Sequence, residues 1–443
     1  MASNPCLPLS LLLLLFVAYG TAFSPIQTSC RYQNRWYSTS TSLLSASEGA
    51  NKEVVTKRST STFETAFATN RCTQKTNKKL LSLTRLRKFL SRNNTKIPPT
   101  SYKIAYDYDE LVIGNASPEN QNTTTAVMLV HPIGVGIGKW YYDRLLKSLA
   151  DTDVQQGRIV FISPDLLGSY TASSPIQSDS GQELKKFPLL NITDWAGQLE
   201  HLMSDYERKS CEDGYEIRNW AIVANGGCAP IVLKVAQSSV DVSAPFEKDL
   251  TNVIISSPPR LPFFLEGTDP NRVQRSYRTL SGIVGKLFWR YALRKNGRFI
   301  QKFSERNLVG DPASLGKHWT PNCISAARHL GGKSKYSTFA FLAGALQDGC
   351  KDSLNSLKGT GVKIDFIRGA DRKQTRRPKS YFWKRKPSGN SVGTETEVKQ
   401  ETVEEYMARN GNRGGTSLIG GRISLAWEDS KGYTRELIKL LHY

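Results

Sequence analysis

Five continuous apolar runs constrain this chain more than anything else in its 443 residues. They are Ala126–Val130, Ile159–Ile162, Ala221–Ala224, Val253–Ile255 and Val362–Ile367. An alternating strand keeps one face wet. A continuous apolar run is covered on both faces, as in a parallel sheet flanked by helices. Helical patterns fall between the runs at Trp140–Ala150, Ile192–Tyr206 and Ala229–Gln237. This alternation predicts βαβ units, hence an α/β fold with a mostly parallel central sheet. Tyr102–Tyr106 and Glu110–Gly114 read as a hairpin-like pair of edge strands ahead of it. Ile423–Trp427 and the helix Gly432–Leu441 read as its close.

After Ser256-Ser257-Pro258-Pro259 the alternation stops. Residues 260–350 are helical and amphipathic, with Phe288, Trp289, Tyr291, Phe299 and Phe303, and predict a helical lid inserted into the sheet order. Residues 372–415 are polar and charged, too poor in apolar side chains to bury much surface, and predict a flexible insertion.

The start of the chain reads as a two-part leader. Leu7–Gly20 is an apolar run too short for a good membrane span, and Gly20-Thr21-Ala22 places small residues where a signal peptide is cut, so residues 1–22 read as a signal peptide. Residues 23–78 begin with Phe23, are rich in Ser and Thr, carry Arg and Lys, and have few acids, as transit peptides do. Together they resemble the leader of complex red-lineage plastids and predict a plastid location, with secretion as the alternative. Residues 79–99 read as a basic linker or helix, with Leu80–Leu90 its amphipathic part, and residues 100–443 as the folded domain.

The formal net charge is +21, which raises the question of a polyanionic partner. The excess is local, however. Residues 1–98 hold 14 Lys/Arg against three acids, and Arg372–Lys386 holds eight cations and no acid. The remainder is near balance, so nucleic acid is not expected as a partner. The second block, with Arg372, Lys373, Arg376, Arg377, Lys384, Arg385 and Lys386 around Tyr381-Phe382-Trp383, is a candidate contact for an anionic membrane surface; a solvated insertion is the plainer reading. The seven cysteines contain no CxxC pair, and none of the five histidines has a His or Cys three or four residues on, so neither a metal site nor a cofactor is expected.

Five motifs carry a specific resemblance. Val127–Val130 runs into His131-Pro132-Ile133-Gly134-Val135-Gly136. Ser163-Pro164-Asp165-Leu166-Leu167-Gly168 follows the next strand. Trp220–Ala224 leads into Asn225-Gly226-Gly227-Cys228-Ala229. Then come Gly369-Ala370-Asp371 and Gly420-Gly421-Arg422 with Trp427-Glu428. In this order they resemble, respectively, the oxyanion loop, the Pro-Asp turn, the nucleophile elbow, the turn of the triad acid and the stretch of the triad histidine in α/β-hydrolases. His-Pro-Ile-Gly-Val-Gly further resembles a plant and cyanobacterial branch that has a glycine-rich elbow without serine.

The resemblance implies an α/β-hydrolase fold, and it also shows what is missing. The nucleophile position is Gly226, which has no side chain. The histidine position is Arg422, whose guanidinium stays protonated and is no general base. Only Asp371 fits a triad role. Cys228 is the one nearby nucleophile, at a helix start that can lower a thiol pKa; a buried packing cysteine is the plainer reading. Without nucleophile and base, the expected function is binding of a small, partly apolar ligand. The expected ligand or oxyanion residues are His131, Ile133, Gly134, Gly136 and Gly227, with space left open by the bare Gly226. An ester or thioester hydrolase using Cys228, and a membrane- or protein-docking scaffold, are the alternatives.

Overall fold

All five apolar runs lie side by side as strands of one sheet. The computed structural model describes residues 52–65, 100–114, 123–152, 157–177, 182–184, 187–241, 245–259, 261–293, 297–332, 334–347, 350–370 and 401–441. In chain order the strands are β1 (Val54–Thr65), β2 (Thr100–Ile113), β3 (Thr123–Val130), β4 (Arg158–Pro164), β5 (Ile176–Gln177), β6 (Glu216–Asn225), β7 (Leu250–Ser256), β8 (Lys363–Gly369) and β9 (Thr416–Ile419). Their spatial order is β1-β2-β4-β3-β6-β7-β8-β9, with the two-residue β5 beside β2. From β4 to β9 every pairing is parallel, and β2 is antiparallel to its neighbours. A mostly parallel sheet in this order, entered through an antiparallel strand, is the α/β-hydrolase fold.

Helices cover both faces. They are α1 (Asp143–Ala150), α2 (Ile192–Glu212), α3 (Ala229–Val240), the lid helices α4 (Leu261–Leu265), α5 (Pro270–Ser281), α6 (Ile283–Leu293), α7 (Arg298–Asn307), α8 (Trp319–Gly332), α9 (Lys335–Ala343) and α10 (Lys351–Ser356), then α11 (Val403–Arg409), α12 (Leu425–Glu428) and α13 (Ser430–Leu441). Ala126 to Val130 and Ile222 to Ala224 are wholly buried, as a strand covered on both faces must be. The start of α2 is fixed by a capping box. The Asn191 side chain accepts from the Asp194 N–H at 3.1 Å, and the Asp194 carboxylate accepts from the Asn191 N–H at 2.8 Å. In α3, Pro230 sits in the first turn, where its missing N–H costs nothing.

Three expectations need correction. First, the domain starts well before residue 100. Residues 54–65, inside the stretch read as transit peptide, form edge strand β1, antiparallel to β2 along its full length. Its Ser, Thr, Lys and Arg suit an edge with one wet side, and Lys57 bonds Glu110 across the pair at 2.8 Å. Second, the expected hairpin at Tyr102–Gly114 is one 14-residue strand. The carboxylate of Asp109, which falls between the two expected strands, pairs with the Lys139 ammonium and accepts from the Thr56 hydroxyl. Third, the insertion is not without structure to residue 415. α11 has its own capping box from Thr402 and Glu405, the last strand is β9, and Ile423–Trp427 leads into the short helix α12. Residues 1–51, where the leader is expected, Leu80–Leu90, Asp371 and the basic block Arg372–Lys386 lie outside the described residues.

Candidate active site

In open α/β sheets ligands bind at the carboxyl ends of the strands, where the strand order reverses. Here that point lies between β3 and β6, which pair up to Val130 and Ala224. The loop from His131 and the turn at Gly226 therefore meet, as the sequence implies. Their polar groups are largely spent on each other.

The loop is sewn down almost atom by atom. The Val130 carbonyl accepts from the Tyr142 hydroxyl at 3.0 Å, the His131 carbonyl from the Cys228 thiol at 3.4 Å, and the Pro132 carbonyl from the His131 ring N–H at 3.0 Å. The Gly134 carbonyl accepts from the Thr338 hydroxyl of α9 at 2.9 Å, and the Gly136 carbonyl from the Trp140 indole at 3.0 Å. Buried carbonyls need such partners, and these have them. The Ile133 N–H, expected to serve an oxyanion, points at the Cys228 sulfur.

His131 is wholly buried. Its Nε2 accepts from the Leu166 N–H at 3.0 Å, so Nδ1 carries the proton given to Pro132. Burial lowers the pKa of its imidazole, partly offset by the Asp165 carboxylate 3.9 Å away. Asp165 is buried too. It accepts from the Lys139 N–H at 2.7 Å and from the backbone and hydroxyl of Thr171, while burial raises its pKa. The pair holds two loops together, and neither member faces a cleft.

The turn at Gly226 is not the strained elbow of a serine hydrolase. The chain leaves β6 at Asn225 with φ −74° and enters a short 3-10 turn, Gly226–Cys228, directly. The positive φ sits one strand over, at Ser257 (φ 50°), the one non-glycine residue of this kind among the described residues. A Cβ on Gly226 would fall far inside contact distance of the Ser257 carbonyl. The open space expected at Gly226 is therefore filled by backbone, and no serine fits there unless Ser257-Pro258 moves. Gly227 differs: a Cβ there would meet the Phe341 ring at 3.6 Å, an ordinary contact.

Cys228 is fully buried, and burial pushes its thiol up to about 12 against the opposing Ile133 N–H. At neutral pH it is a protonated packing group, not a thiolate. The Arg422 guanidinium turns away to the Arg306 carbonyl of α7. The loop after β9 does reach the elbow, but through its backbone. Asn225 donates to the Ile423 carbonyl at 2.9 Å, and the Ser257 hydroxyl donates to the Arg422 and Ile423 carbonyls at 3.3 and 3.1 Å. Asn225 lies within the elbow motif and Ser257 just ahead of the lid, but neither residue type signals this role in the sequence.

The lid closes over this junction. Gly136 (φ 69°) lies against the Cys323 carbonyl of α8, too close for any side chain. Trp140 of the core, Trp319 of the lid and Trp427 of the C-terminal segment meet edge to face with centroids 5.2 to 5.4 Å apart. Arg144 stacks over Trp427 at 4.0 Å and donates to the Ser314 and Trp427 carbonyls at 2.7 and 3.1 Å. Glu428 accepts from the Gly310, Asp311 and Arg422 N–H groups at 2.7, 3.0 and 2.9 Å. Away from the junction, at the opposite end of β8, lies a cavity of about 320 Å³ lined by Leu354, Leu357, Lys358, Tyr406, Met407 and Arg413, among others. Among the described residues no cluster of His, Cys, Asp and Glu could hold a metal ion.

Comparison with solved structures returns α/β-hydrolases. A thermophilic esterase from Thermogutta terrifontis aligns with TM-score 0.47 at 13% identity, over 79% of this chain and 96% of its own. A peroxisomal α/β-hydrolase from Saccharomyces cerevisiae aligns with TM-score 0.47 at 12% identity, over 88% and 89%. A putative α/β-hydrolase from Nostoc sp. PCC 7120 aligns with TM-score 0.46 at 11% identity, over 76% and 95%. No protein-family model and no curated protein sequence matches the chain. The fold assignment rests on the strand order.

Proposed function

We propose that this chain is a non-hydrolytic protein on an α/β-hydrolase scaffold, acting by binding and not by bond cleavage. The observation that carries this is the Ser257 carbonyl standing where a nucleophile's Cβ would be. An acyl-enzyme needs a hydroxyl or thiolate, a base beside it and an open oxyanion site. Here the first position is backbone, the second is an arginine turned away, and the Ile133 N–H faces a thiol. A small, partly apolar ligand at this junction would enter beside Gly227 and displace the Phe341 ring, so its binding requires the lid to open. The leader composition supports a plastid as the place where this happens.

Turnover of short-chain p-nitrophenyl esters by the purified protein, with Cys228→Ala in parallel, is the direct test. Both should match the uncatalysed rate; cysteine-dependent turnover would reverse the reading. A second location for the ligand is favoured by the cavity near β8. Its leucine and methionine walls with Lys358 and Arg413 suit a small amphiphilic anion. Mass spectrometry of co-purifying small molecules, repeated on Phe341→Ala and on Arg413→Glu, tells the two locations apart: a junction ligand should be retained or enriched when the Phe341 ring is removed, and a ligand of the cavity near β8 should be lost in Arg413→Glu.

A further inference from the structure

Two neighbouring helices on the surface of the lid carry cations that form no ion pair among the described residues. Pro270–Leu293, which makes α5 and α6, holds Arg272, Arg275, Arg278, Lys286 and Arg290 and no acidic residue. All five cations are exposed, and none forms an ion pair among the described residues. On α6 the inward face is Gly285, Trp289, Ala292 and Leu293, and Trp289 is fixed against Phe339 of α9 at 5.8 Å. Gly285 packs on the Leu280 carbonyl with no room for a side chain, which keeps the two helices together.

The outward face of α6 is Ile283, Lys286, Leu287 and Arg290, the spacing of one helical stripe. Ile283 is 77% exposed and Leu287 60%, the first and third most exposed large apolar side chains among the described residues. Two bare aliphatic side chains a turn apart, set among unpaired cations, describe a helix that lies on a lipid surface. No described helix is long and apolar enough to cross a membrane, so the contact is peripheral.

We propose that the α5–α6 face of the lid docks on an anionic membrane surface, with Ile283 and Leu287 entering the headgroup region and Lys286, Arg290 and the α5 arginines meeting lipid phosphates. The uneven charge selects this occupant, since a neutral apolar partner would leave five cations without counter-ions. The inference does not depend on whether the core is catalytic.

The test is co-sedimentation of the full chain with equimolar phosphatidylcholine–phosphatidylglycerol vesicles and with phosphatidylcholine alone. The leader is common to all variants, so ratios between them read the lid. Each cation near such a surface is worth about fivefold in partitioning, so Lys286→Glu with Arg290→Glu should cost about 25-fold or more on anionic vesicles. Ile283→Asp with Leu287→Asp should also weaken binding, with unchanged thermal unfolding because both positions are exposed. Raised salt should weaken wild-type binding. Three results would overturn the proposal: equal binding to neutral vesicles, loss on neutralising Arg372–Lys386 while the lid variants bind normally, or a wild-type dimer that Ile283→Asp converts to monomer.

Discussion

The loop–turn junction and the outer face of the lid are opposites. At the junction nearly every polar atom has an internal partner, from the His131 ring to the Gly134 carbonyl. On α5 and α6, five exposed cations form no ion pair among the described residues, and Ile283 and Leu287 are exposed beside them. Buried hydrogen bonds satisfied within the chain leave nothing for a substrate, whereas unspent charge and apolar area are what a partner can use. The contrast teaches that the carboxyl ends of this sheet are packed by their own polar groups, while the outer lid face keeps charge and apolar area exposed.

That comparison can be broken in order of effect. Trp319→Ala removes a buried indole that touches Trp140 and Trp427 and donates to the Ser304 hydroxyl at 2.8 Å. Urea unfolding should show a loss of about 4 kcal/mol. A much smaller loss would mean that the lid is not locked to the core.

The pH response sharpens the same point. Burial holds the folded imidazole of His131 below its ordinary range, while in the unfolded chain it titrates near ~6.5. Below that pH the unfolded state takes up a proton that the folded state refuses, so stability falls as pH drops. Between about pH 7 and pH 5, wild type should lose roughly 1 to 2 kcal/mol more than His131→Asn. Asp165, whose carboxyl burial pushes up, acts in the opposite sense in both proteins. Equal losses would mean that the imidazole is not held neutral.

The smallest effect belongs to the lid face. Ile283→Asp should change unfolding free energy by no more than about 0.5 kcal/mol, as exposed positions do. A larger cost would show that this side chain packs against something within the chain.

The sheet was legible because burial on both faces leaves a continuous apolar run, and all five runs became strands. β1 was not, because Ser59, Thr60, Ser61 and Thr62 on an edge read like a leader; only its β-branched content gave a signal. β2 was split in expectation because Asp107 and Asp109 resemble turn residues, and Asp109 finds Lys139 only in three dimensions. At the site the registration of Gly226 and Arg422 could be read from order and spacing. What fills the space at Gly226 could not, since a carbonyl from the end of β7 is a tertiary contact that every sequence carries the atoms for.

Gly226→Ala against Gly227→Ala, compared by urea unfolding, tests the central claim most directly. Neither glycine has a positive φ, so the two differ in what the new methyl group meets. At Gly226 it meets the Ser257 carbonyl and should cost about 3 kcal/mol or more; at Gly227 it touches the Phe341 ring and should change stability by about 0.5 kcal/mol or less. Two equally tolerated variants would mean that the turn is open where a nucleophile belongs, and the packed-junction account would fail.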